Sequence, residues 1–202
     1  PIAVQKQAAY DAVPETNGLE NWPQGPHVYA NSAIVMEMNS GAILYGKKIN
    51  DKHYPASITK LLTALVALEN ADPDDEVYFS EDSVSFLEYG DVSIGMRPGE
   101  ILSMNDALYG MLLASANEVS YAIAESVGKK MGGGFETFIQ KMNERCEELG
   151  CTGSHWTNAN GLHDENHYTT ANDLYKLVTY AMKLPLFMEI CTCASYTVPP
   201  TN

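Results

Sequence analysis

The chain has 202 residues, 45% of them hydrophobic, with 12 Lys and Arg set against 26 Asp and Glu for a formal charge of -14. That apolar content is enough to bury the core of one large domain or two intimate lobes, which excludes intrinsic disorder as a description of the whole. The few scattered cations make no basic stripe to neutralise phosphates, so nucleic-acid binding is disfavoured, and the longest strongly apolar run, Leu61 to Leu68, is far short of the ~20 residues that span a bilayer.

The opening Pro1-Ile2-Ala3-Val4-Gln5 carries no charged segment followed by an apolar stretch, so it reads as a chain whose targeting signal lies outside it. Residues 1–30 mix Pro14, Gly18, Pro23, Gly25 and Pro26 without periodicity and form a lead-in, with one short helix expected near Gln5 to Ala12 and order starting after it. Ser32 to Met38 and Ala42 to Tyr45 are β-rich runs on either side of the turn residues Asn39-Ser40-Gly41, which predicts an antiparallel hairpin. From Ser57 to Asn70 a good helix former follows Pro55, with apolar residues on almost every face, the mark of a buried helix.

The acidic stretches Asp72 to Glu76 and Glu81-Asp82 read as solvated loops. Ser103-Met-Asn-Asp106 is a capping box opening a helix to about Leu113, and further helices run from about Glu118 to Val127 and from about Phe135 to Leu149, with Gly132-Gly133-Gly134 between them. Thr170-Ala-Asn-Asp173 caps another helix that ends near Pro185, and Ser195 to Val198 reads as a strand. Strands near both ends with helices between predict an α+β fold, an antiparallel sheet lobe carrying an inserted all-α lobe: residues 31–56 and 174–202 in the sheet lobe, 57–173 mostly helical. The four cysteines, Cys146, Cys151, Cys191 and Cys193, are too few for a disulfide scaffold and read as small buried hydrophobes or one incidental bridge. Met36, Met38, Met111, Met131 and Met142 read as core filler.

Lys60 is the anomaly of the buried helix. An ammonium there is costly to bury unless it is paired or neutral, so it either snorkels to the surface or has a chemical task. Ser57, three residues earlier, shares its helical face, close enough for the amine to take the hydroxyl proton, and a helix start favours negative charge developing on an attacked carbonyl. The bland alternative is a helix cap beside a snorkelling lysine. Ser126-Val-Gly-Lys129 repeats the spacing at a solvated helix end and is set aside, about one such match being expected by chance. Ser115-Ala116-Asn117 presents a polar triplet at a break between two helices, where the Ser115 hydroxyl can relay a proton and the Asn117 amide can hold the lysine and a substrate carbonyl. Glu118 reads as a first-turn acid, and His163-Asp-Glu-Asn-His167 lies in a loop that lacks the helix a zinc motif requires, so no metal is assigned.

The stretches Tyr54-Pro55-Ala56-Ser57-Ile58-Thr59-Lys60 and Leu112-Leu113-Ala114-Ser115-Ala116-Asn117-Glu118 resemble the first two motifs of penicillin-recognising serine enzymes, more closely the low-molecular-weight penicillin-binding proteins that are D-alanyl-D-alanine carboxypeptidases. Met96-Arg-Pro-Gly99, Thr157-Asn-Ala-Asn-Gly-Leu162 and His167-Tyr-Thr-Thr-Ala-Asn-Asp173 agree in the same order. The resemblance implies a transpeptidase/β-lactamase-like fold, with Ser57 as nucleophile, Lys60 as base, and Ser115 with Asn117 relaying protons and positioning substrate. It also implies peptidoglycan stem peptides and β-lactams as partners, an extracytoplasmic setting and no cofactor. The family's third motif, Lys-Thr-Gly, is missing from these residues. On this resemblance the domain is expected to be incomplete at its C-terminus, and an inert penicillin- or peptidoglycan-binding module and a serine β-lactamase are the alternatives.

Overall fold

The structure, a computed structural model, describes residues 2–201. Pro1 and Asn202, the outermost residues of the lead-in and tail, lie outside the described residues. Along the chain run α1 (Ile2–Asp11), a single 3-10 turn (Glu15–Gly18), β1 (Ala33–Met36), β2 (Ile43–Lys47), a second 3-10 turn (Ala56–Ile58), α2 (Thr59–Asn70), β3 (Glu76–Tyr78), α3 (Glu81–Ser85), β4 (Ile101–Ser103), α4 (Met104–Ala114), α5 (Asn117–Lys130), α6 (Phe135–Glu148), α7 (Ala171–Ala181) and α8 (Pro185–Thr192). No described helix is long and apolar enough to cross a membrane.

The core forms around α2, in which Leu62, Ala64, Leu65, Val66 and Ala67 are all fully buried. Because its apolar residues cover most of its circumference, α2 takes neighbours on several sides: α4, α5, α6 and α7 all pack on it. Helix α5 crosses α6 closely at Gly128, where an added Cβ would lie 2.0 Å from the Gly134 carbonyl oxygen. The predicted N-caps are present. Ser103 accepts from the Asp106 backbone N–H at the start of α4, and Thr170 does the same for Asp173 at the start of α7.

The first hairpin forms as expected, with Ala33 opposite Lys47 and Val35 opposite Tyr45. The lead-in, expected to be unordered apart from one helix, is folded onto β2. Gly46 N–H donates to Thr16 Oγ1 at 3.2 Å, Trp22 Nε1 donates to the Leu44 carbonyl at 3.0 Å, and Tyr45 Oη donates to the Pro26 carbonyl at 3.0 Å. Its main anchor is Lys47, fully buried, whose ammonium donates to the carbonyls of Ala9, Val28 and Ala30. Hydrogen bonds compensate here for missing apolar periodicity.

Three other expectations are corrected. The acidic region holds a second two-stranded sheet, with Val77 opposite Leu102, and the short α3, although Asp72, Glu81 and Asp82 are exposed as expected. Three-residue strands are too short to register as alternation. Pro185, read as a helix stop, starts α8, because at the first helical position its missing N–H costs nothing and its fixed φ favours the helix. Ser195 to Val198 forms no strand, and the described residues contain two separate two-stranded sheets in place of one closed by the tail. The tail instead stacks Tyr196 on Tyr109 of α4, ring centroids 3.8 Å apart, and its hydroxyl donates to Asp106. Of the methionines, Met111 and Met142 are buried, whereas Met38 is half exposed in the groove between β1 and α7.

Two outcomes test this packing. Gly128→Ala should lower unfolding stability by about 1–3 kcal/mol in urea denaturation, since the backbone must move to admit the methyl group; an unchanged midpoint would show that the crossing is looser than described. Lys47→Met removes the donor shared by three carbonyls, and limited proteolysis should then cut first within residues 1–30 while the helical core survives.

Candidate active site

The strand β2 leads by a short loop into the 3-10 turn Ala56–Ile58, which runs directly into α2. Ala56 has a left-handed φ of 49°, an unfavourable conformation for a residue with a Cβ, and it turns the chain so that Ser57 is exposed while Lys60 points inward. The Ala56 carbonyl is held by Thr59 Oγ1 at 2.8 Å. Gly161 packs against the same peptide from outside: a Cβ there would lie 1.9 Å from the Ala56 carbonyl oxygen, and its φ of 89° suits glycine as well.

Lys60 does not snorkel. It is 2% exposed, and its amine makes three hydrogen bonds, to Ser57 Oγ at 3.2 Å, Asn117 Oδ1 at 2.8 Å and the Asn160 backbone carbonyl at 2.7 Å. All three partners are uncharged. Burial therefore dominates and lowers the lysine to about 8, against the opposing pull of the carboxylates of Glu118 and Asp91. At neutral pH an appreciable fraction of the amine is unprotonated, and at this separation it can accept from the Ser57 hydroxyl.

Asn117 is the first residue of α5, and Ser115 caps α4 in the left-handed region with φ 60° and ψ 30°. This corner is held by a hydrogen bond from Asn117 N–H to the Val92 carbonyl, 2.9 Å. Glu118, fully buried, reinforces it: its Oε1 accepts from Ser93 Oγ at 2.7 Å and from Ile94 N–H at 2.8 Å. Glu118 is thus a first-turn acid that also fastens the 92–94 segment over the helix start. Of the four residues singled out from the sequence, the structure joins Ser57, Lys60 and Asn117 in one hydrogen-bonded cluster. Ser115 stands at the same corner, half-buried, and no hydrogen bond links it to Ser57 or Lys60 among the described residues.

Sequence reasoning gave no role to the loop at 157–162, which provides the Asn160 carbonyl. Its signal was turn chemistry: Asn158 Oδ1 accepts from Gly161 N–H at 2.7 Å and Asn160 Oδ1 accepts from Leu162 N–H at 2.9 Å. Thr63 Oγ1 of α2 donates to the adjacent Ala159 carbonyl at 2.7 Å. Behind the loop lies His167, 1% exposed. Its Nδ1 accepts from Thr157 N–H at 3.0 Å, which leaves Nε2 as the donor to Thr59 Oγ1 at 2.7 Å. Burial lowers this imidazole to about 4, so it is neutral and fixed in one tautomer. A chain of donors thus runs from Thr157 through His167 and Thr59 to the Ala56 carbonyl, next to Ser57. His163, the other histidine of the segment, stands apart and packs edge-on against Tyr54. The second serine–lysine pair is unrelated to the site: Lys129 is exposed and paired with Glu125 at 2.7 Å, while Ser126 Oγ accepts from Tyr78 N–H.

Comparison with known proteins gives this geometry a family. A model of the D-alanyl-D-alanine carboxypeptidases matches residues 20–198. A D-alanyl-D-alanine carboxypeptidase of Bacillus subtilis is 36% identical over 150 residues, 72% of this chain and 37% of the relative. One of Mycobacterium tuberculosis is 32% identical over 194 residues, 95% of this chain and 63% of the relative. The chain therefore spans less than two thirds of the length of these curated relatives. Among solved structures, a D-alanyl-D-alanine carboxypeptidase of Mycobacterium tuberculosis superposes with a TM-score of 0.77 at 32% identity, covering 94% of this chain and 68% of that one. Penicillin-binding protein 5 of Haemophilus influenzae does so with 0.77 at 25% identity, covering 83% and 49%. With its fold shared by these enzymes and nearly all of its length matched by the family model, the chain belongs to the D-alanyl-D-alanine carboxypeptidase family.

Proposed function

We propose that this chain carries the nucleophile side of a serine D-alanyl-D-alanine carboxypeptidase site that acts outside the cytoplasm on peptidoglycan stem peptides. The observation that carries the reading is the buried Lys60 amine, bonded at once to Ser57 Oγ, Asn117 Oδ1 and the Asn160 carbonyl. In its unprotonated form the amine accepts the Ser57 proton as Oγ attacks the carbonyl between the two D-alanines, forming the C–O bond of a tetrahedral adduct. The C–N bond then breaks, and the proton passes to the departing amine of D-alanine, with the Ser115 hydroxyl as the relay. Asn117 holds the lysine in place through its oxygen and offers its amide N–H₂ to the substrate. Water resolves the acyl-enzyme and regenerates Ser57. A β-lactam acylates the same oxygen, its ring opening in place of D-alanine release.

Neutral partners suit this role better than a carboxylate would. A direct ion pair would hold Lys60 protonated, whereas burial among amide oxygens favours the free base near physiological pH. Position and electrostatics come from the fold, so the serine needs no separate imidazole base.

Two experiments check the reading. Incubation with a fluorescent penicillin followed by intact mass and peptide mapping should place one adduct on Ser57 and show release of D-alanine from a D-Ala-D-Ala peptide. Ser57→Ala should abolish both, a loss on the order of 10⁴-fold or more. An adduct without D-alanine release would support a binding module, rapid release of hydrolysed antibiotic a β-lactamase, and no adduct would overturn the assignment. The acylation rate should rise about tenfold per pH unit below the lysine's midpoint and level off above about 8, because only the unprotonated amine accepts the proton. A profile flat from pH 6 to 10, or one unaltered in Lys60→Ala, would remove Lys60 from the role of base.

A further inference from the structure

The C-terminal end of α6 brings two cysteines together. The helix closes in a Schellman motif: Gly150, with φ 75°, donates from its N–H to the Glu147 carbonyl at 2.9 Å, and Cys151 N–H donates to the Cys146 carbonyl at 2.8 Å. In this motif the residue after the glycine and the residue five before it lie side by side, normally as an apolar contact. Here both positions are cysteine. Both are buried, Cys146 at 2% and Cys151 at 3% exposure, in a pocket where Trp156 Nε1 donates to Cys146 Sγ at 3.0 Å and Cys151 Sγ lies 3.5 Å from the Asp173 carbonyl oxygen. The remaining cysteines, Cys191 and Cys193, are at the end of α8 and are more exposed.

We propose that Cys146 and Cys151 are a disulfide-forming pair that staples the C-terminal cap of α6 when the protein meets a small-molecule or protein disulfide. In the closed cap the interaction between the two side chains raises the Cys146 thiol and lowers the Cys151 thiol. Once the cap is open a Cys151 thiolate attacks first, or equally Cys146 with the roles exchanged. Cys151 displaces one thiol from the oxidant to form a mixed disulfide. Cys146, deprotonated, then attacks the Cys151 sulfur and expels the second thiol. Two thiols of this chain and the oxidant's disulfide become one disulfide in this chain and the oxidant's two thiols, with no other electron carrier. Because both sulfurs are buried, the exchange takes place while the cap is open, during folding or in local fraying of the helix end.

The consequence is local. Residues 151–160 lead from this cap, past Trp156, to the Asn160 carbonyl on Lys60, so the staple fixes the origin of the segment whose far end holds the lysine. The inference is independent of the peptidase reading, and its test involves no substrate.

Trypsin separates the pairs: no Lys or Arg lies between Arg145 and Lys176, so Cys146 and Cys151 leave together in peptide 146–176, while Cys191 and Cys193 leave in 184–202. The protein is incubated natively with oxidised glutathione and, in parallel, refolded in a mixture of oxidised and reduced glutathione. Each sample is then alkylated in denaturant without reduction and digested. In at least one of the two samples, peptide 146–176 should be lighter by two hydrogens and carry no alkyl group. Hydrogen exchange at the amides of Leu149 to Cys151 should slow in that sample and recover on reduction. The same mass shift should persist in the Cys191→Ser/Cys193→Ser protein. Full alkylation of both cysteines in both samples, a terminal glutathione adduct on either, or a bond from either to Cys191 or Cys193 would overturn the pairing.

Discussion

A buried lysine amine hydrogen-bonded only to neutral oxygens is the constraint on which the arrangement of this protein turns. Removing an ammonium from water is costly unless its donors are matched, and here the matching groups come from three places in the chain: the turn before α2, the first residue of α5 and the loop at Asn160. None of them carries charge, so the cost is met partly by hydrogen bonds and partly by a lowered proton affinity. A solvent-facing lysine would keep its proton, and one paired directly with Glu118 would keep it more firmly still. One oxygen of the Glu118 carboxylate, Oε1, instead accepts from the 92–94 segment. Its influence on the amine is through space and opposes a larger burial effect.

Holding three separate segments around one amine requires rigidity behind each. Helix α2 supplies it by being buried on most of its surface. The turn at Ala56 is kept in its left-handed conformation by Thr59, His167 and the close packing of Gly161, and a neutral histidine in one tautomer serves this purpose because it can accept at one nitrogen while donating at the other. The Ser115 corner is held by main-chain and carboxylate bonds to residues 92–94. The buried polar groups named here hold one segment to another.

The helices were readable because their signals are local and strong. Ser103 and Thr170 cap where the capping boxes stand, and the apolar character of 61–68 correctly marks a helix enclosed on most sides. The misreadings share a cause. Residues 76–78 and 101–103 are too short to show alternation and pair across more than twenty residues. The lead-in is ordered by a lysine and side-chain hydrogen bonds that leave no periodic trace. The tail, apolar enough for a strand, meets an aromatic ring on α4 before it meets a strand.

The amino-acid sequence by itself determined which groups could carry chemistry. A lysine inside an apolar helix one turn from a serine, and a Ser-x-Asn triplet at a helix break, are statements about spacing, and spacing is local. Tertiary structure alone decided that the lysine is sealed from water, that Asn117 reaches it from a separate helix while Ser115 stands off, and that its third partner is a main-chain carbonyl one hundred residues away. A backbone oxygen has no residue type to reveal it, and proton affinity depends on what surrounds a group in space, so neither could be read until the chain was folded.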